Sequence, residues 1–247
     1  MIIDSHVHIL HAQDGHLGAL LKDADRWDIE RLCISSLSRV WTPNPDALAL
    51  EEAAGDVLAA CERYPDRFVG FTYVSADHVD QSLELMERCI ANGPCPFVKL
   101  WISQFATDAR LDPIYARALE LEAPVMMHTW TKATGNLEFE STLHHAVAVS
   151  KRFPTLRLWA AHYGGRWEEA ARIVATSPTL CLDLSGGEPE ADILDTLLKH
   201  LPADRIFYGS DAPGRTFSVQ MSKVYGANLT DEQRALILGA NIGRWIP

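Results

Sequence analysis

No apolar run in this 247-residue chain approaches the roughly 20 residues that a membrane-spanning helix needs. No Cys-x-x-Cys pair occurs either. The five cysteines, at 33, 61, 89, 95 and 181, are odd in number and scattered. That pattern speaks against a cysteine zinc site or a disulfide framework and suits reduced thiols. Basic charge is scarce, with 22 Lys and Arg against 33 Asp and Glu and a net charge of -11. Nucleic acids and anionic membranes need a basic footprint, so neither is expected as a partner. No basic segment followed by an apolar stretch opens the chain, and no secretory leader is expected. These absences leave a cytoplasmic protein acting on a small molecule as the expectation, with a homodimer compatible with it. Net charge does not exclude a small anionic substrate, which responds to the local field of its pocket.

What the chain does have is rhythm. Hydrophobic residues make up 47% of it, ample for a sizeable core. Strand-like runs fall at 2–9, 31–37, 67–74, 97–102, 124–129, 156–162, 180–185 and 205–211. Helix-like spacing follows each, at 17–28, from Asn44-Pro45-Asp46 to about Tyr64, at 79–92, from Asp112-Pro113 to just before Pro124, and at 137–153, 166–176, 189–201, 217–225 and 230–245. Eight alternating β and α units without a long linker predict a single-domain (β/α)8 barrel over 1–247, rather than a doubly wound open sheet.

The first strand carries the strongest chemical signal. In Ile2-Ile3-Asp4-Ser5-His6-Val7-His8-Ile9, alternation sends Ile2, Asp4, His6 and His8 to one face. Two imidazoles at i and i+2 supply half of a tetrahedral shell for zinc or a similar ion. Taken alone, such a pair is as readily two solvent-facing rings at a strand end. Lys99, His128, His162 and Asp211, however, fall at the ends of the fourth, fifth, sixth and eighth strands, the face on which barrel enzymes build their sites. Alternation on the fourth strand puts Val98, Leu100 and Ile102 against helices and Lys99 inside. On the eighth it puts Ile206 and Tyr208 outside and Phe207, Gly209 and Asp211 inside. Closure of the barrel then sets Asp211 beside His6 and His8. Imidazoles plus one carboxylate, with a position left for water, make a catalytic metal site.

The segments Ile-Asp-Ser-His6-Val-His8, Phe-Val-Lys99-Leu, Pro-Val-Met-Met-His128-Thr, Ala-Ala-His162-Tyr-Gly-Gly, Leu-Asp-Leu-Ser and Phe-Tyr-Gly-Ser-Asp211-Ala-Pro resemble the amidohydrolase superfamily. The likeness is to its amidohydrolase-related branch of metal-dependent barrel hydrolases and decarboxylases. It implies a divalent ion, zinc or alternatively manganese, held by His6, His8, His128 and Asp211. Asp211 and His162 are then the catalytic residues of a hydrolase that acts on a small, carboxylate-bearing ester, lactone or amide. A second metal would add His162 and a carbamylated Lys99; with one metal, Lys99 stays an ammonium and binds substrate carboxylate. Non-oxidative decarboxylation is the alternative, against which the shortness of the chain counts. A barrel that binds metal and ligand without turnover is the other alternative.

Trp101, Trp130, Tyr163, Arg166 and Arg215 follow the site strands and are the candidate pocket walls. Asp4, expected one layer below His6, is a candidate to orient an imidazole and equally a hydrogen-bonded residue of the barrel layer. His144 and His145 diverge on a helix and read as packing or surface residues.

Overall fold

The computed structural model describes residues 1–39 and 41–247. Eight parallel strands follow in order: β1 (Ile2–His8), β2 (Ile29–Ser35), β3 (Phe68–Val74), β4 (Phe97–Leu100), β5 (Val125–Met127), β6 (Leu158–Ala160), β7 (Cys181–Asp183) and β8 (Ile206–Phe207). Helices α1 (Asp14–Asp25), α2 (Ala47–Arg63), α3 (Val79–Met86), α4 (Asp112–Glu120), α5 (Leu143–Arg152), α6 (Trp167–Val174) and α7 (Ile193–Leu197) alternate with them. After β8 come α8 (Phe217–Tyr225), α9 (Asp231–Ala235) and α10 (Asn241–Gly243). The ring closes where β8 and its continuation meet β1: Ser5 N donates to Tyr208 O, Asp211 N to His6 O, and His8 N to Ala212 O. The (β/α)8 expectation holds, and the open sheet is excluded by this seam.

Alternation on parallel strands divides the apolar residues into two cores. Val98 and Leu100 on β4, and Ile206 with Tyr208 at β8, pack outward against helices. Ile3, Cys33, Phe71, Phe97, Met126, Trp159, Cys181 and Phe207 fill the barrel interior, with Trp245 and Ile246 packed under them. The apolar floor fills the lower barrel, so polar side chains pointing inward are confined to the upper end.

Several segments depart from their sequence reading. The helix expected at 137–153 begins only at Leu143. Phe139 takes a left-handed φ of 59°, and Thr142 starts the helix with its N–H donating to His145 Nδ1 at 3.0 Å. The helix expected at 189–201 contracts to Ile193–Leu197. On β1 the simple alternation fails below His6. Ile3, not Ile2, enters the inner core, and the pairing with β2 slips between Asp4 and Val7. This bulge absorbs one residue, and only above it do His6 and His8 face inward. Asp4 accordingly touches no imidazole ring; its Oδ1 accepts the N–H groups of His6 and Ser210, each at 3.0 Å. It pins the seam between β1 and the chain after β8, while burial pushes its carboxyl up to about 7 against those bonds.

Candidate metal centre

The upper interior is lined by side chains from most strands. Asp183, the last residue of β7, organises them. Its Oδ1 accepts His162 N at 2.9 Å, Ser185 N at 3.0 Å and the Ser185 hydroxyl, while Oδ2 lies 3.1 Å from His6 Nδ1. A fully buried carboxylate with this many donors stays ionised. Burial opposes that, but the His6 ring and the hydrogen bonds around the carboxylate outweigh it and hold Asp183 well below the usual carboxylate range.

The network assigns the tautomers. His6 donates its Nδ1 proton to Asp183. Ser185, whose own proton goes to Asp183, accepts from His162 Nδ1 at 2.9 Å. Ser35 Oγ donates to Val7 O and accepts from His8 Nδ1 at 2.9 Å. All three rings therefore keep an Nε2 lone pair. Burial drives His8 down to about 4 and His162 well below the ordinary histidine range, so both are neutral rings.

These lone pairs converge. His6 Nε2 and His8 Nε2 are 3.2 Å apart, and Asp211 Oδ1 lies 3.3 Å from His8 Nε2 and 3.8 Å from His6 Nε2. His6, His162 and Asp211 each bring a ligand atom within 4.8 Å of the others. Acceptors crowded this closely repel unless positive charge lies among them. The protein's own contribution is Lys99, fully buried, with Nζ 3.0 Å from His6 Nε2. Burial lowers Lys99 to about 8, opposed by the charges of Asp211 and Asp183. A mixed nitrogen and oxygen donor set of this kind fits a divalent ion such as zinc or manganese.

His162 and Asp211 reach the centre from turns, not strands. β6 ends at Ala160 and β8 at Phe207; His162 and Asp211 take left-handed backbones with φ of 63° and 64°. Glycines make room around them. A Cβ on Gly186 would stand 2.7 Å from His162 Nδ1, and one on Gly209 3.1 Å from His6 Cβ. Against burial, the close contact with His8 and the neighbouring rings hold the Asp211 carboxyl well below the usual carboxylate range.

His128 spends Nε2 on Glu140 Oε1 at 3.0 Å and keeps Nδ1. Glu140 is buried, bonded also by Lys132 Nζ at 2.7 Å and Leu137 N at 3.0 Å. Against burial, the bonds from His128 and Lys132 draw Glu140 down to about 2. Sequence reasoning missed Glu140 because it assigned 137–142 to a helix. Asp183 and Ser185 lie in Leu-Asp-Leu-Ser, where a carboxylate ending an inward-facing strand is the signal the sequence offers.

The candidate pocket walls make different contacts. Trp130 is at the centre, its ring 5.0 Å from that of His162. Trp101 packs against the outer core. Tyr163 is buried beneath Lys223, whose Nζ sits 4.8 Å over its ring. Arg166 pairs with Glu169 at 3.1 Å, and the Arg215 guanidinium donates to Gly214 O.

The Amidohydrolase family model matches residues 3–247. The chain belongs to the amidohydrolase family. Enzymes of this family use a divalent metal, and the convergent donors of this family member are consistent with that. Its barrel is similar to 2,6-dihydroxybenzoate decarboxylase from Rhizobium, with 16% identity and a TM-score of 0.80 over 99% of this chain and 98% of that one. It is similar to 4-oxalomesaconate hydratase from Rhodopseudomonas palustris, with 18% identity and a TM-score of 0.75 over 100% and 96%. A dihydroxybenzoic acid decarboxylase from Polaromonas, with bound manganese and 2-nitroresorcinol, aligns with 14% identity and a TM-score of 0.78 over 99% and 96%. The chain thus spans nearly all of two decarboxylases, and its shortness does not argue against that chemistry.

Proposed function

We propose that this amidohydrolase-family protein is a divalent-metal-dependent hydrolase of a small ester, lactone or amide that bears a carboxylate. The observation that carries this reading is the placement of ionised Asp211 against His8 and His6, with the Lys99 ammonium against the same His6 Nε2. His6, His8 and Asp211 would hold one ion, completed by His128 Nδ1 or His162 Nε2. When bound, zinc or manganese supplies Lewis acidity to a substrate carbonyl and acidifies water. Asp211 takes the proton of the attacking water and passes it to the leaving group. Lys99 holds the substrate carboxylate or the developing oxyanion in a site with little solvent. His162, with its Nδ1 proton committed to Ser185, is a ligand or proton acceptor and donates only after it is itself protonated. Trp130 forms one wall.

Purified protein loaded with zinc or manganese is expected to turn over members of a lactone, ester and amide panel. Activity and bound metal should both fall in His6→Ala, and activity in Asp211→Asn. Undiminished turnover by metal-stripped wild type refutes the reading. Two ions per chain, with added mass on Lys99, would replace the one-ion arrangement by a two-ion one in which a Lys99 carbamate and His162 serve as ligands.

Non-oxidative decarboxylation of an aromatic or unsaturated acid is the second reading, favoured by the full-length likeness to decarboxylase structures. Against it, an ammonium that holds the departing carboxylate stabilises the ground state more than the transition state. Release of CO2 without consumption of water, with solvent deuterium appearing on that carbon, would decide for it.

A further inference from the structure

At the opposite end of the barrel, below Trp245 and Ile246, lies a cavity of about 490 Å3. That volume is within the range of small-molecule sites, about 300–1,000 Å3. Three arginines line it from three separate elements: Arg31 on β2, Arg157 just before β6, and Arg244 just after α10. Phe68 and Trp245 give it apolar walls, and Glu122 is the acidic side chain among its lining.

The arginines set this cavity apart. Elsewhere the chain's arginines largely hold carboxylates, as in Arg67–Asp25, Arg88–Glu51, Arg117–Glu87 and Arg152–Asp112. Among the described residues none of Arg31, Arg157 and Arg244 forms an ion pair. Arg157 donates to the Glu122 carbonyl. Arg31 Nε is buried with no acceptor, an arrangement whose cost an incoming anion removes. In an acidic chain with 33 carboxylate side chains, a hollow lined by three arginines outside any ion pair and by one glutamate has a local excess of positive side chains.

We infer that this cavity binds a small planar organic carboxylate, its charge on the guanidiniums and its flat body against Trp245 and Phe68. Guanidinium groups favour carboxylates through forked, charge-assisted hydrogen bonds, and their planes and the indole suit a flat ligand. The site is independent of the metal centre.

The test uses benzoate with the full-length protein carrying 5-fluorotryptophan at its seven tryptophans, read by fluorine NMR. Trp245 reports the floor cavity and Trp130 the metal centre, each assigned by a Trp→Phe variant. Benzoate should shift the Trp245 resonance saturably, and Arg244→Met should weaken that binding about tenfold. Arg31→Met/Arg244→Met should weaken it further. Arg244 is exposed, so its single variant carries the test if the double variant does not fold. Neutral benzamide and inorganic phosphate should each bind far more weakly than benzoate. Benzamide equal to benzoate shows that charge is not read, and phosphate equal to benzoate shows that the apolar wall is not used; either overturns the inference. So does a shift confined to Trp130, or benzoate binding unchanged in Arg244→Met.

Discussion

Replacing Asp183 by asparagine changes almost no volume but reverses one hydrogen-bonding atom. The amide must keep its oxygen where Oδ1 now accepts His162 N and Ser185 N, at 2.9 and 3.0 Å. Its NH2 then stands where Oδ2 now lies, 3.1 Å from His6 Nδ1. Two donors cannot share that contact, and only the neutral Ser185 Oγ, 2.9 Å away, is left as an acceptor for Nδ1, so the balance shifts toward the tautomer with the proton on Nε2. That nitrogen is the one 3.2 Å from His8 Nε2 and 3.8 Å from Asp211, and once protonated it cannot ligate. Losing the partner of a metal-ligating histidine costs about 10–100-fold in metal affinity, or about 1.4–2.7 kcal/mol. The inverted tautomer places Asp183→Asn at the upper end. Fold stability should change less, because the variant no longer buries a charge and its amide oxygen still accepts the two backbone N–H groups. Metal affinity by chelator competition, melting temperature and 15N resonances of the His6 ring together test this. Unchanged affinity, or a His6 ring still protonated at Nδ1, refutes the tautomer argument.

Glu140→Gln should lower metal affinity about tenfold and speed hydrogen exchange over 131–142, since the charged bonds to His128 and Lys132 are what fold that segment back. Gly187→Ala should destabilise the protein by about 2–4 kcal/mol in urea titration, because a Cβ there collides with the Tyr163 hydroxyl at a φ of 59°. Burial lowers Lys223 to about 7 from an ordinary 10.5, so the unfolded chain binds more protons between those values. Its penalty is fully present below pH 7 and is relieved as pH rises. The stability of wild type relative to Lys223→Met should therefore increase by about 2 kcal/mol from pH 7 to pH 9; a flat difference would show that Lys223 titrates normally.

The barrel was legible because eight buried strands each announce themselves by apolar runs, and β4 carries one inward lysine amid outward Val98 and Leu100. The His6/His8 pair was legible as a spacing. The side each residue of β1 faces was not, since a bulge between Asp4 and Val7 leaves no mark in residue types. Asp211 was assigned inward by alternation, yet it lies beyond β8 in a left-handed turn, held by its N–H to His6 O at 2.8 Å. Asp183 and Glu140 escaped for another reason. The strand-end place of Asp183 is a signal in the sequence, but which imidazole a carboxylate serves across 177 or 12 positions is read from geometry alone.

The seam between Asp4 and Ser210 spans 206 positions, which sets an order of events during synthesis. β1 leaves the ribosome first, yet its outer flank has no partner until β8 and the turn carrying Asp211 arrive. A nascent chain therefore displays His6 and His8 long before it owns the carboxylate that completes their cluster. Such a distant pairing is slow to find, and an ion captured early would be held by two rings alone. Under the proposed metal reading, tight loading would be reserved for chains that have finished folding, and bound metal would serve as a readout of completed closure.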